Sequence, residues 1–273
     1  MFLCFLSKKL KTPRSITLNI VSNKKIMIKK HIPNTVTLSN LLCGCLALIS
    51  IFTNQVDMVP YFIGISLLAD YFDGLLARLL KVNSPMGREL DSLADMVSFG
   101  VVPGAMLYYL INQSKGIVGV DFSDPTTLVG LVGFLVTLFS CVRLAKFNLD
   151  TRQTEGFVGL NTPACTIFVL GLLLIALGNL RGMKPFILNE AFLYGVSIVL
   201  SYLLIAEIPM FSFKFKSLAL KGNKIRVSFI AVTVLCFCVI EFGIALSIII
   251  LLYILISMAL WMGGMLKREK REF

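Results

Sequence analysis

Asp70-Tyr71-Phe72-Asp73-Gly74-Leu75-Leu76-Ala77-Arg78, followed eight residues later by Gly87-Arg88-Glu89-Leu90-Asp91-Ser92-Leu93-Ala94-Asp95, sets four aspartates into a strongly apolar chain. Each stretch reads as helix. On the first, positions 70, 73, 74, 77 and 78 recur at intervals of three and four and share one face; on the second, 87, 91 and 95 do the same. A turn near Asn83 to Pro85 turns the two faces toward each other. The spacing therefore predicts four carboxylates around one pocket, at the cytoplasmic end of two membrane spans. A charged side chain in a membrane helix costs about 3 kcal/mol on insertion scales, so acids without lysines on the same faces call for a positive partner. Oxygen ligands with no histidine or thiolate suit Mg²⁺, Mn²⁺ or Ca²⁺, and a carboxylate cluster can hold two such ions around a phosphoryl centre. Gly74 and Gly87 would let a diphosphate or nucleotide approach the backbone closely. Arg78 is placed to meet a phosphate oxygen or the acids themselves.

Working outward, 57% of the 273 residues are hydrophobic and only 15% charged, a composition that belongs in a bilayer. About 20 apolar residues cross about 30 Å of hydrocarbon as helix. Such runs lie at about 35–53, 59–80, 91–111, 127–148, 162–180, 191–211, 226–242 and 244–266. They predict an all-α polytopic membrane protein of about eight spans, because continuous apolarity without alternation excludes a lipid-facing barrel. The net charge of +11 does not imply nucleic acid, since the basic residues cluster between and beyond the spans. With a cytoplasmic amino terminus, all of the 26 Lys and Arg except Lys115, Arg181 and Lys184 fall on the inner side, so both termini are expected to be cytoplasmic. Tyr108, Tyr109 and Trp261 suit interfacial belts. Four of the seven cysteines form two Cys-x-Cys pairs, Cys43/Cys45 and Cys236/Cys238, and there is a single histidine, His31, which supports neither a zinc site nor a disulfide framework.

Three divisions follow. Residues 1–30 form a basic arm without signal-peptide character, either held loosely on an anionic leaflet or untranslated if Met27 is the working start. Residues 31–266 form one transmembrane catalytic domain with short loops and no evident repeat. Residues 267–273 form a basic cytoplasmic tail.

The eight residues Asp70, Asp73, Gly74, Ala77, Arg78, Gly87, Asp91 and Asp95, at this spacing, resemble the signature of the CDP-alcohol phosphatidyltransferases. The resemblance implies that Asp70, Asp73 and Asp91 bind divalent metal, Mg²⁺ or Mn²⁺ and two ions, with Asp95 beside them as general base and a further ligand. It also implies that Gly74, Ala77, Arg78 and Gly87 line the pocket for CDP-diacylglycerol. His31 lies outside the motif, so a Ser/His/Asp mechanism has no candidate base, and direct displacement without a covalent enzyme intermediate is expected. Three further segments are similar to the bacterial phosphatidylserine synthases of this family: His31-Ile32-Pro33-Asn34-Thr35-Val36-Thr37-Leu38-Ser39-Asn40, then Arg143-Leu144-Ala145-Lys146-Phe147-Asn148 with Gly156 to Pro163, and Ile208 to Lys214. Asn161 departs from them, standing where those synthases usually carry the first proline of Gly-Leu-Pro-x-Pro.

This likeness implies L-serine as acceptor, a bacterial cytoplasmic membrane with the site facing the cytoplasm, and a homodimer. Serine needs a cation for its carboxylate and an acceptor for its ammonium. Arg143, Lys146, Asn148, Arg152 and Glu155 are the polar groups on the inner loop, and the positive-inside pattern alone would also account for the cations among them. Two alternatives remain at this stage. One is a sister transferase using glycerol 3-phosphate. The other is a transporter with intramembrane acids, which would have no need of the glycines and Arg78 in register with them.

Overall fold

The computed structural model describes residues 13–82, 84–117, 128–149, 157–211 and 224–264, with only the backbone for 13–30. Helix α1 spans Pro13–Phe52, so residues 13–30 of the basic stretch run as helix into the first span. Its membrane-crossing part is His31–Phe52. Pro33 lies within it, and the Thr37 hydroxyl turns back to the Pro33 carbonyl at 3.1 Å. Helix α2, Val59–Leu79, opens with Pro60 in its first turn, where a missing N–H leaves nothing unsatisfied. Lys81, at φ 52°, turns the chain out of it.

Ser84 then caps α3, Pro85–Asp95, its hydroxyl accepting from the Gly87 N–H at 3.4 Å, with Pro85 again at the helix start. Helix α3 leads through a π-turn at Met96–Val101 into α4, Val102–Ser114, giving one continuous apolar length, Pro85–Ser114. Pro103 explains the wide turn. Lacking an N–H, it leaves the Phe99 carbonyl free, and that carbonyl accepts from Thr166 at 3.2 Å, while the Gly100 carbonyl accepts from Thr137 at 2.8 Å.

Beyond a 3₁₀ turn at Val129–Phe134 come α5 (Leu135–Leu149), α6 (Thr162–Gly178), a short α7 (Lys184–Ile187), α8 (Glu190–Ile205), α9 (Lys224–Val239) and α10 (Phe242–Met262). Asn161 caps α6, accepting from the Ala164 N–H at 2.9 Å. The residue that departs from the related synthases thus starts the helix by capping, with Pro163 behind it. Asn189 caps α8 in the same way. Strands β1, Phe157–Val158, and β2, Pro209–Met210, pair antiparallel with Phe157 opposite Met210, joining the entry of α6 to the exit of α8. Gly159 makes this junction possible: at φ +78° any Cβ would come within 2.8 Å of the Leu204 carbonyl and 2.9 Å of that of Ala206.

The centre of the bundle is α4 and α6, whose Met106, Leu107, Leu110, Ile111, Cys165 and Leu173 are fully buried. Around them α1 packs on α2, α5 on α8 and α6 on α10. Tyr108 is part of this interior, packed on the Phe134 ring at 5.7 Å and not in an interfacial belt, because Gly130 and Gly133 bring the 3₁₀ turn against it. The six cysteines among the described residues are all free.

The protein is therefore mostly helical and polytopic. Among the described residues, five helices are long and apolar enough to cross a membrane: His31–Phe52, Val56–Leu79, Pro85–Ser114, Val129–Leu149 and Phe242–Met262. Thr162–Gly178, Glu190–Ile205 and Ile225–Val239 are apolar but shorter, and the asparagine caps on two of them set where they begin.

Candidate functional site

Helices α2 and α3 meet as their spacing requires. Asp70, Asp91 and Asp95 bring carboxylate oxygens within 4.8 Å of one another. Asp73, one turn further along α2, is buried and lies near enough for its charge to act on the other three. It shares with Asp91 the wall of a half-open cleft of about 180 Å³. Gly74, Ala77 and Gly87 line the same cleft. Arg78 does not. It stands exposed beside Ala77, its Nε donating to the Gly74 carbonyl of its own helix at 3.0 Å.

Four acids so close together repel one another unless something neutralises them. Among the described residues no lysine or arginine forms an ion pair with any of the four; the two ion pairs, Lys115–Glu190 and Arg181–Glu241, lie outside the acid cluster. Asp91 Oδ1 is buried without a hydrogen-bond partner. A buried carboxylate oxygen with no donor, set among three other acids, is the donor set that a hard divalent cation takes, and the residues present fit such an ion.

Helix α1 supplies a third wall that the acid spacing did not announce. Pro33, Asn34 and Thr37 line the cleft. Thr37 donates to Asp73 Oδ2 at 2.6 Å, and Asn40 donates through Nδ2 to Asp95 Oδ1 at 3.2 Å. The available signal was the recurrence of polar residues at 34, 37 and 40 in an otherwise apolar helix, one every turn on a single face. Arg88 also lines the cleft and brings a cation to it.

On the opposite flank α5 sends in Arg143. It is 8% exposed, lies over the Phe147 ring at 5.9 Å, and is close enough to Asp95 for the two charges to interact. Its Nε has no hydrogen-bond partner, nor do the buried hydroxyls of Ser140 on the same helix and Thr162 at the start of α6. Lys146 is exposed. Asn148 reaches α3 instead, exchanging hydrogen bonds with Ser92 at 2.9 and 3.1 Å. Arg152 and Glu155 lie outside the described residues.

Among the described residues, then, an acid cluster that no lysine or arginine ion-pairs stands between a cleft walled partly by small residues and a buried guanidinium. The chain belongs to the CDP-alcohol phosphatidyltransferase family, whose model matches residues 30–206, and it is accordingly a transferase. Membership sets aside the transporter alternative. Among its relatives, the CDP-diacylglycerol–serine O-phosphatidyltransferase of Bacillus subtilis (strain 168) is 31% identical over 184 residues, covering 67% of this chain and 92% of the relative. The enzyme of that name from Helicobacter pylori (strain J99) is 30% identical over 184 residues, 67% of this chain and 72% of the relative. That from Saccharomyces cerevisiae is 32% identical over 163 residues, 54% of this chain and 55% of the relative.

Proposed function

We propose that the protein transfers the phosphatidyl group of CDP-diacylglycerol to the hydroxyl of L-serine, releasing CMP and forming phosphatidylserine. The observation that carries this reading is the joint placement of four acids lacking counter-ions and the cleft that Asp73, Gly74, Ala77, Gly87 and Asp91 line. The names of the relatives support serine as the acceptor.

In this reading Asp70, Asp73 and Asp91, with Asp95 adjoining, hold two divalent ions, Mg²⁺ or Mn²⁺. Bound there, these supply electrostatic neutralisation of the diphosphate, which makes CMP a better leaving group. The small walls at Gly74, Ala77 and Gly87 admit the nucleotide diphosphate, and Arg88 on the cleft wall meets its phosphate oxygens, with Arg78 reaching them only by leaving its contact with the Gly74 carbonyl. Asp95 takes the proton of the serine hydroxyl as its oxygen attacks the phosphorus that bears the diacylglycerol. The bond from that phosphorus to the CMP oxygen breaks, and the proton leaves Asp95 for water afterwards. Arg143 meets the serine carboxylate, since a buried guanidinium with an unused donor is suited to a planar anion. Lys146 and Asn148 flank that position, and Arg152 and Glu155 complete the inner loop.

The three shorter helices bring the crossings to eight, with both termini and the cleft on the cytoplasmic side of a bacterial inner membrane. The active form is a homodimer. The test is an acceptor screen with purified protein in lipid vesicles, measuring CMP released from CDP-diacylglycerol with Mg²⁺ or Mn²⁺. Serine should drive release and glycerol 3-phosphate should not. The reverse result would move the chain to a sister activity, and no release with any alcohol would overturn the reading.

A further inference from the structure

We infer that Asn40 is a positioning residue for the transfer reaction: it holds the Asp95 carboxylate in one orientation for taking the proton of the attacking hydroxyl. This rests on the reading of Asp95 as the base and is indifferent to which alcohol is the acceptor.

Asn40 is fully buried in a membrane helix. A carboxamide there is expensive unless every polar atom is satisfied. Its Oδ1 accepts from the Ser66 hydroxyl of α2, its carbonyl accepts from the Ser98 hydroxyl of the π-turn at 3.0 Å, and its Nδ2 donates to Asp95 Oδ1 at 3.2 Å. Ser66 and Ser98 are themselves fully buried. The Asp95 carboxylate settles which way the amide faces: turned over, the amide would set its oxygen against Asp95 Oδ1, two acceptors in contact, whereas the Ser66 hydroxyl can meet either end. The amide can therefore only donate to Asp95.

The consequence for Asp95 is directional. Asn40 engages Oδ1 and so fixes how the Asp95 carboxylate is turned toward the neighbouring acids. It also ties the base to α1 and α2 just before the chain widens into the π-turn, where the backbone alone would hold the side chain less firmly. Gly44 keeps α1 pressed against this turn, since any Cβ there would strike the Ser98 side chain. Three elements thus meet at Asn40, which alone donates to Asp95 Oδ1. Thr37 makes the analogous bond to Asp73, yet its hydroxyl also has the Pro33 carbonyl within reach at 3.1 Å, so it does not fix that acid in the same exclusive way.

The test is steady-state CMP release in lipid vesicles, at saturating divalent ion and with the alcohol that the wild-type enzyme uses, comparing Asn40→Ala, Ser66→Ala and the double variant. Groups that orient others in an active site commonly cost about 10- to 100-fold when removed. Asn40→Ala should lower kcat by that amount while the KM for CDP-diacylglycerol stays within about twofold. Ser66→Ala loosens the amide and should give a smaller fall, and it should add nothing in the Asn40→Ala background. If Asn40→Ala does not fold, the near-isosteric Asn40→Asp and Ser66→Ala carry the same comparison. The inference is overturned by a kcat within about twofold of wild type, by equal losses in kcat, substrate affinity and melting temperature, or by additive effects of the two substitutions. An active Asp95→Ala variant would remove the reading beneath the inference. An inactive Asp95→Ala beside a fully active Asn40→Ala would sink the Asn40 inference alone.

Discussion

The acid cluster has two unlike flanks. Toward α1 and the loop after α2 it opens into a cleft with glycine and alanine walls, where Asp91 keeps a buried oxygen without a donor. Toward α5 and α6 it closes on Arg143, a buried cation whose Nε lacks an acceptor. Among the described residues, one side holds acids that no ion pair neutralises and the other a guanidinium whose Nε lacks an acceptor, with Asp95 between them. A site that merely stabilised the bundle would have joined the two, because an aspartate and an arginine brought into contact neutralise each other. Their separation leaves room for two ligands of opposite demand: a cation-bridged diphosphate in the cleft, and a small anion against the guanidinium.

The largest effects should come from breaking the cluster that both flanks share. Asp95→Ala removes the proposed base and should lower serine-dependent CMP release by about 10²- to 10⁴-fold. Asp91→Ala removes the acid common to the cluster and the cleft wall, and chelating divalent ions from the wild-type enzyme should have a comparable effect, reversed on adding Mg²⁺ or Mn²⁺ back. Activity that survives chelation would end the comparison between a cation-seeking and an anion-seeking flank, since the acids would then have some other purpose.

A charged hydrogen bond is worth about 1.5–3 kcal/mol, and that sets the second effect, on the closed flank. Arg143→Gln should raise the KM for serine by about 10- to 100-fold and leave the KM for CDP-diacylglycerol unchanged. Arg143→Lys keeps the charge but loses the planar fork, and should fall between the two. If both variants raise the KM for CDP-diacylglycerol instead, the guanidinium serves the nucleotide side and the assignment of flanks is reversed.

How much of this was legible depends on whether the relation is local. The faces of α2 and α3 could be read because residues at intervals of three and four must share a helix side, and because Lys81 and Ser84 to Pro85 form a recognisable turn and cap. The contribution of α1 was hidden, since nothing in the spacing of Asn34, Thr37 and Asn40 says which helix they will meet. Asp73 and Asp95 lie 36 and 55 residues from their α1 partners. Arg143 was noticed as one of several inner cations, but its burial follows from how α5 packs, not from charge counting. The exact bounds of the spans depend on similar contacts. Hydropathy locates the apolar runs, while the caps at Asn161 and Asn189 decide where the helices of α6 and α8 start. Tyr108 was misplaced because two adjacent tyrosines look interfacial until Gly130 and Gly133 admit a neighbouring segment against one of them.

The smallest effect tests the open flank most cleanly. A Cβ built on Gly74 meets nothing within 4 Å, whereas one on Gly87 would come within 3.2 Å of Asn34 Oδ1. The fold therefore has no steric need for glycine at position 74, and alanine there would favour the helix by about 1 kcal/mol. Gly74→Ala should melt no lower than wild type. If the cleft holds the nucleotide diphosphate close to the α2 backbone, the added methyl takes space that only the ligand uses, and the KM for CDP-diacylglycerol should rise by up to about tenfold with the KM for serine unchanged. Gly87→Ala should show the same rise with some loss of stability from crowding Asn34. An unchanged KM in Gly74→Ala would mean that the substrate does not approach this wall, and the cleft would have to be reassigned even if every aspartate proved essential.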